Sequence, residues 1–121
     1  LDIKANSQDG SFTVSSGTPV SITVSLNPNN LSGQNADWWV AESTPDGVFY
    51  HFDLSTSSMA PGLLPTHQGP LFSLGTSQLL NSSNLTMGTH TFYFAVDMNM
   101  NGLLDMNSIY YDSVSVNITE P

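Results

Sequence analysis

The chain has 121 residues and carries ten Asp and Glu against a single Lys, a formal net charge of −9. Nucleic acid is excluded as a partner, because binding it needs Lys and Arg to neutralise phosphates, and an anionic membrane surface or an Arg-clamped phosphoryl group or carboxylate is disfavoured for the same reason. Cysteine is absent, which removes disulfides, thiolate metal sites and thiol catalysis.

This length accommodates one domain over 1–121. Its elements follow from period-2 alternation of apolar and polar residues, as a strand with one buried face requires. A short strand is expected at 2–5 and another at 11–15. Val20-Ser21-Ile22-Thr23-Val24-Ser25-Leu26 then alternates without a break. Further strands are expected at 36–42, at 48–54, more weakly at 72–80, and in Phe92-Tyr93-Phe94-Ala95-Val96 and Val114-Ser115-Val116-Asn117-Ile118. Turn signals such as Gln8-Asp9-Gly10, Asn27-Pro28-Asn29-Asn30 and Thr44-Pro45-Asp46-Gly47 separate them. Seven to eight strands at this spacing, with no helical period and no apolar run of membrane-spanning length, predict an all-β antiparallel sandwich without membrane insertion. Residues 55–71 hold Pro61, Pro65 and Pro70 beside apolar Leu63 and Leu64. That is too much proline for a strand or helix, so the segment is expected to pack over a sheet edge or into a neighbour.

The run Leu85-Thr86-Met87-Gly88-Thr89-His90-Thr91-Phe92 resembles the Leu-x-x-Gly-x-Tyr-x-Phe corner of immunoglobulin-like modules in bacterial surface proteins. There the tyrosine hydrogen-bonds back across the turn into the penultimate strand. His90 stands at that position, where an imidazole nitrogen can serve as the donor. Asp37-Trp38-Trp39-Val40 and Tyr110-Tyr111-Asp112-Ser113-Val114 are similar to repeats of exported bacterial proteins. The resemblance implies an immunoglobulin-like sandwich and a module, and it names no chemistry. An acidic, Lys-poor, cysteine-free composition rich in Ser, Thr and Asn points to an extracellular or cell-surface location, and the initial Leu1 suggests a removed leader or a segment of a longer chain.

The sharpest chemical feature is Asp97-Met98-Asn99-Met100-Asn101-Gly102-Leu103-Leu104-Asp105. Oxygen side chains fall at positions 1, 3, 5 and 9 and Gly at position 6, while Leu103 at position 7 offers its carbonyl. Such a loop converges alternate oxygens on a hard cation while glycine makes the sharp turn, so calcium is the expected cofactor, with Asp97, Asn99, Asn101, Leu103 and Asp105 as ligands. The spacing also resembles the calcium loops of dockerins and thrombospondin-type repeats. Ser108 occupies position 12, where a bidentate acid would complete the shell. Asp112 lies four residues further, about 13 Å along a strand at a rise of ~3.3 Å. Asp37, Asp46 or Asp53, brought in by folding, rank ahead of it. The alternative is a polar hairpin tip in which the same side chains only cap turns.

His51, His67 and His90 have no metal-ligand spacing, and His51 reads as an ordinary strand residue. No Gly-x-Ser-x-Gly elbow is present. The chain is therefore expected not to be an enzyme.

Adjacent strand residues face opposite ways, so of Trp38 and Trp39 one is expected between the sheets and the other on an outer face. Phe49-Tyr50, Phe92-Tyr93 and Tyr110-Tyr111 repeat the pattern. Trp38, Trp39, Leu63, Leu64, Tyr110 and Tyr111 form the candidate interface or ligand platform. Two occupants fit it: copies of the same chain, in a surface layer, fibre or tandem array, or a polysaccharide stacked on the rings as in a carbohydrate-binding or adhesin module. The N-terminal strand is expected to pair either in its own sheet or with a neighbour. Asn30, Asn81, Asn84 and Asn117 match the Asn-x-Ser/Thr glycosylation pattern.

Overall fold

The computed structural model describes residues 1–120, which form ten strands and one short 3-10 helix. The strands are β1 (Asp2–Ala5), β2 (Gly10–Ser15), β3 (Val20–Leu26), β4 (Asn35–Ser43), β5 (Phe49–Asp53), β6 (Ser58–Pro61), β7 (His67–Pro70), β8 (Leu74–Ser82), β9 (Gly88–Asp97) and β10 (Ile109–Thr119). A three-stranded sheet in the order β1-β3-β8 faces a larger one in the order β2-β10-β9-β4-β5-β6, with β7 added to β4. This is the all-β sandwich that the alternation predicts.

The inward residues of both sheets make the core. From the smaller sheet come Ile3, Ala5, Val20, Ile22, Val24 and Leu26; from the larger come Trp38, Val40, Phe92, Phe94, Val96, Val114, Val116 and Ile118. Strand β3 shows the cause directly, since its buried and half-buried residues alternate along its whole length. Trp38 is 5% exposed and stacks on Phe72 at a centroid distance of 4.9 Å and on Phe94 at 6.3 Å. It is the tryptophan between the sheets and takes no part in an outer platform.

Three features differ from the expectation. The strands number ten because residues 55–71 contribute β6 and β7, which extend the larger sheet beyond β5 and along the first half of β4. Proline is accommodated because Pro61 and Pro70 are the last residues of these four-residue strands, where a missing N–H interrupts no ladder. The sandwich is not wholly antiparallel either. Strand β1 pairs with β3 in the protein's own smaller sheet, the chain crosses over at Gly10, and β2 pairs parallel to β10. A third difference lies at Trp39, taken up below.

Candidate functional site

Asp37 on β4 and Asp97 on β9 are register partners across the middle of the larger sheet, and both are fully buried although they lie on its outer side. Their cover is the β9–β10 connection, residues 98–108. Its backbone and hydroxyl donors converge on the two carboxylates. Asp97 Oδ1 accepts from Asn99 N–H at 3.0 Å and Ser108 Oγ–H at 2.5 Å, and Asp97 Oδ2 accepts from Asp105 N–H at 2.7 Å. Asp37 Oδ2 accepts from Asn101 N–H at 3.2 Å and Gly102 N–H at 2.7 Å, while its Oδ1 accepts from Gln68 Nε2 at 2.7 Å. Gly102 has φ +79°, a left-handed turn that brings these two N–H groups to one oxygen.

A third carboxylate, Asp105, joins them. Desolvation first, then its proximity to Asp97, pushes the Asp105 carboxyl above the usual range, and Asp37 adds to the repulsion. Burial acts the same way on Asp97, but the hydrogen bonds from Ser108, Asn99 and Asp105 outweigh it and hold that carboxyl below the usual range. No basic side chain compensates the group. Lys4, the chain's one Lys, lies on β1 and pairs with Asp2 at 3.2 Å and Asp9 at 2.8 Å. Asp105 Oδ2 is buried with no hydrogen-bond partner. The Asp37 and Asp97 oxygens are satisfied by donors of the chain itself, and the Asp105 oxygen is the one side-chain acceptor of the group left without a partner.

Of the expected ligands, Asp97 and Asp105 lie together through the Asp105 N–H, and the β4–β9 register brings Asp37 under the same loop. Asn99 and Asn101 lie in the same loop, where Asn101 Oδ1 accepts from Leu103 N–H at 3.0 Å. Ser108 at position 12 binds Asp97 rather than presenting an acid. Asp46 caps its own turn through Thr44, and Asp53 through Ser55, so neither reaches the loop. Asp112 turns inward and accepts from Ile3 N–H at 2.9 Å. With Asp2 and Asp9 it forms, among the described residues, the one group of three acids whose carboxylate oxygens lie within 4.8 Å of one another, and Lys4 pairs with Asp2 and Asp9 there; Asp37, Asp97 and Asp105 are not gathered that tightly.

The covering loop also delivers apolar side chains. Trp39, Ala41, Tyr93 and Ala95 face outward from β4 and β9, and Phe49, Leu63, Leu104, Met106, Ile109 and Tyr111 surround them, leaving a groove of about 360 Å³ without a charged residue. Trp39 is the outward member of the Trp38-Trp39 pair but only 3% exposed, and its indole N–H has no acceptor. The expectation of a bare ring is corrected: the loop and the Leu63 segment cover it. Leu63, Leu64, Met106 and Tyr111 remain exposed. Tyr110 is exposed too, but it belongs with Leu1, Leu31 and Leu71 at the open end of the sandwich rather than with this groove.

At the opposite end of β4 and β9, His90 makes the corner bond anticipated for it, from Nε2 to the Thr86 carbonyl at 2.8 Å. Its Nδ1 meets Glu42 Oε2 at 2.7 Å, a buried pair that sequence reading missed. Because a carbonyl only accepts, Nε2 is protonated, and one further proton lies between Nδ1 and Glu42. The pair is neutral as a unit. His51, in β5, is set by the Gly62 carbonyl at 2.9 Å. Asn30, Asn81 and Asn84 are exposed, whereas Asn117 is half-buried in β10. No helix is long and apolar enough to cross a membrane among the described residues.

No family model, curated protein sequence or solved structure matches the chain.

Proposed function

We propose that this chain is a non-catalytic, calcium-stabilised, immunoglobulin-like module of an extracellular or cell-surface protein, which associates with copies of itself in a layer, fibre or tandem array. The observation that supports the reading is that one loop closes over the buried, register-paired Asp37 and Asp97 and leaves an Asp105 oxygen buried without a partner, with the chain's one Lys placed elsewhere. Burying uncompensated carboxylates together is costly, and a divalent cation removes the cost. Asp37, Asp97 and Asp105 would hold it, with Asn99, Asn101 and the Leu103 carbonyl from the same loop. Bound there, calcium supplies positive charge and cross-links β4, β9 and the β9–β10 connection; it has no reaction to perform.

Two further observations support the module. The pairing of β1-β3-β8 against β10-β9-β4 follows the strand succession of an immunoglobulin-type sandwich. The groove over Trp39 is apolar and uncharged on a chain of net charge −9. A contact made there desolvates no carboxylate, so two like-charged copies can meet on it. A polysaccharide platform is less well supported, because Trp39 lacks the open ring face on which a sugar stacks.

Thermal unfolding tests the calcium reading. A site with a Kd of about 10⁻⁴ to 10⁻³ M, the extracellular range, stabilises the fold by about 1.4 to 2.7 kcal/mol at 10 to 100 times its Kd. The melting temperature is expected to rise with calcium in the wild type and not in Asp97→Ala. Equal melting temperatures in excess calcium and in chelator would refute the reading. Retention of the protein on a polysaccharide column, lost in Tyr111→Ala with particle size unchanged, would replace self-association with sugar binding.

A further inference from the structure

We propose that the cavity between the 44–47 turn and the β8–β9 connection binds a small organic ammonium, with Glu42 Oε1 and Asp46 as its acceptors. The site lies at the other end of β4 and β9 from Asp97 and is independent of the calcium reading. The cavity holds about 540 Å³, the size of a small-molecule pocket. Its two walls are fixed against each other before a ligand arrives. Gly47 N–H donates to the Thr44 carbonyl and Thr44 N–H to the Val48 carbonyl, which closes the turn, and Pro45 packs on Gly88 so closely that a Cβ there would meet it at 2.6 Å. A preformed cavity loses little entropy when it is filled.

The polar groups of the lining select the ligand. Glu42 is 7% exposed, and its Oε2 meets His90 Nδ1. Its Oε1 accepts no hydrogen bond among the described residues, yet it is not sealed off, since the buried side-chain atoms without a partner there are Trp39 Nε1 and Asp105 Oδ2. A donor reaches this oxygen through the cavity that Glu42 lines, and an acceptor held in so buried a side chain calls for one. The Glu42–His90 pair is neutral as a unit, so the charge of the lining comes from Asp46. The Thr44 hydroxyl first, and then its own backbone N–H, hold the Asp46 carboxyl below the usual range. No Lys or Arg lines the cavity. A ligand that donates N–H to Glu42 Oε1 and brings one positive charge to Asp46 answers both groups, and Pro45, Met59, Leu85 and Met87 suit its alkyl part. A metal ion fits poorly, because Glu42 and Asp46 belong to no group of three ligating side chains among the described residues. Nor is a second copy the source of the ammonium: the chain has one Lys and no Arg, and Lys4 is paired with Asp2 and Asp9.

Titration of the folded chain with n-butylammonium, followed by calorimetry and by backbone amide chemical shifts, tests the site against the neutral n-butanol. The ammonium is expected to bind and the alcohol not, with shifts centred on Tyr50, Thr86 and His90 and equal in calcium and in chelator. A lysine blocked at both its amino and carboxyl groups carries the same ammonium on a side chain. Tighter binding of blocked lysine assigns the ligand to a lysine of a different protein and tighter binding of butylammonium to a free amine; either supports the site. Asp46→Asn keeps an acceptor for Thr44 and should weaken binding about two- to fivefold. Glu42→Gln should weaken it about tenfold or more. Should that buried change unfold the domain, Asp46→Asn and the alcohol comparison still decide. Equal affinity for ammonium and alcohol, unchanged affinity in Asp46→Asn, shifts centred on Asp37, Asp97 and Asp105, or neither heat nor shifts at about 10 mM ligand would each overturn the proposal and leave the calcium reading as it was.

Discussion

Strands β4 and β9 bury carboxylates at both of their ends, and the two ends solve the problem differently. At one end Glu42 meets His90 between the sheets, and the pair is neutral by itself. At the other end Asp37 and Asp97 face outward under residues 98–108, and their partners are N–H and O–H dipoles with a third carboxylate, Asp105, alongside. Dipoles satisfy hydrogen bonds but do not cancel net charge. The first end is neutralised within the chain, whereas the second keeps its negative charge and an Asp105 oxygen without a partner, and it is there that the proposed calcium would act.

The largest effect breaks the self-sufficient end. His90→Ala leaves Glu42 buried without its partner and is expected to cost about 3 to 5 kcal/mol. Urea denaturation should give the same loss in calcium and in chelator. A loss that calcium repairs would mean that the two ends are one coupled system, and the contrast would collapse. Next comes Asp97→Ala at the other end. Its loss relative to wild type should grow by up to about 2.7 kcal/mol when calcium at 100 times its Kd replaces chelator. A loss independent of calcium would make Asp97 an ordinary buried acceptor.

These two ends were unequally legible in the sequence. The oxygen-rich loop from Asp97 to Asp105 is legible because its polar positions follow one another at short intervals, whereas its closure over Asp37 depends on the β4–β9 register. Glu42 and His90 are 48 residues apart with no spacing to connect them, so only the corner half of the arrangement was readable, through His90 and Gly88. Gly88 itself has φ +112°, and a Cβ there would meet Pro45 Cβ at 2.6 Å, which explains the glycine of the corner in steric terms. Alternation gave β3 in full because it has one buried face along its whole length, but only residues 92–96 of β9 and 114–118 of β10, since the end of β9 is buried on both faces and β10 alternates only from Val114 on. It required Trp38 and Trp39 to face opposite ways without saying which faces outward, and it misjudged the exposure of the outward one. Periodicity reports which way a side chain points, but not which loop later folds over it.

A finer test of the dipole-only end is Ser108→Ala. Its hydroxyl donates to Asp97 at 2.5 Å, and a hydrogen bond to a charged group is worth about 1.5 to 3 kcal/mol. The lower figure is expected, since Asp97 keeps the N–H groups of Asn99 and Asp105. The loss should shrink in calcium, where the ion takes over stabilisation of the carboxylate. Equal losses with and without calcium would place the ion away from Asp97.

The smallest effect returns to the paired end. Thr86 reaches His90 twice, through its carbonyl at 2.8 Å and through its hydroxyl at 3.3 Å. Nε2 has one proton to donate, and the shorter contact to the carbonyl takes it. Thr86→Val removes the hydroxyl, keeps the β-branched shape and leaves the backbone acceptor in place. The residue is exposed, so the expected change is within about 0.5 kcal/mol and indifferent to calcium. A loss several times larger would show that the hydroxyl, rather than the backbone, fixes the imidazole. The neutrality of the Glu42–His90 pair would then depend on a side chain, and the end that looks self-sufficient would rest on a replaceable contact.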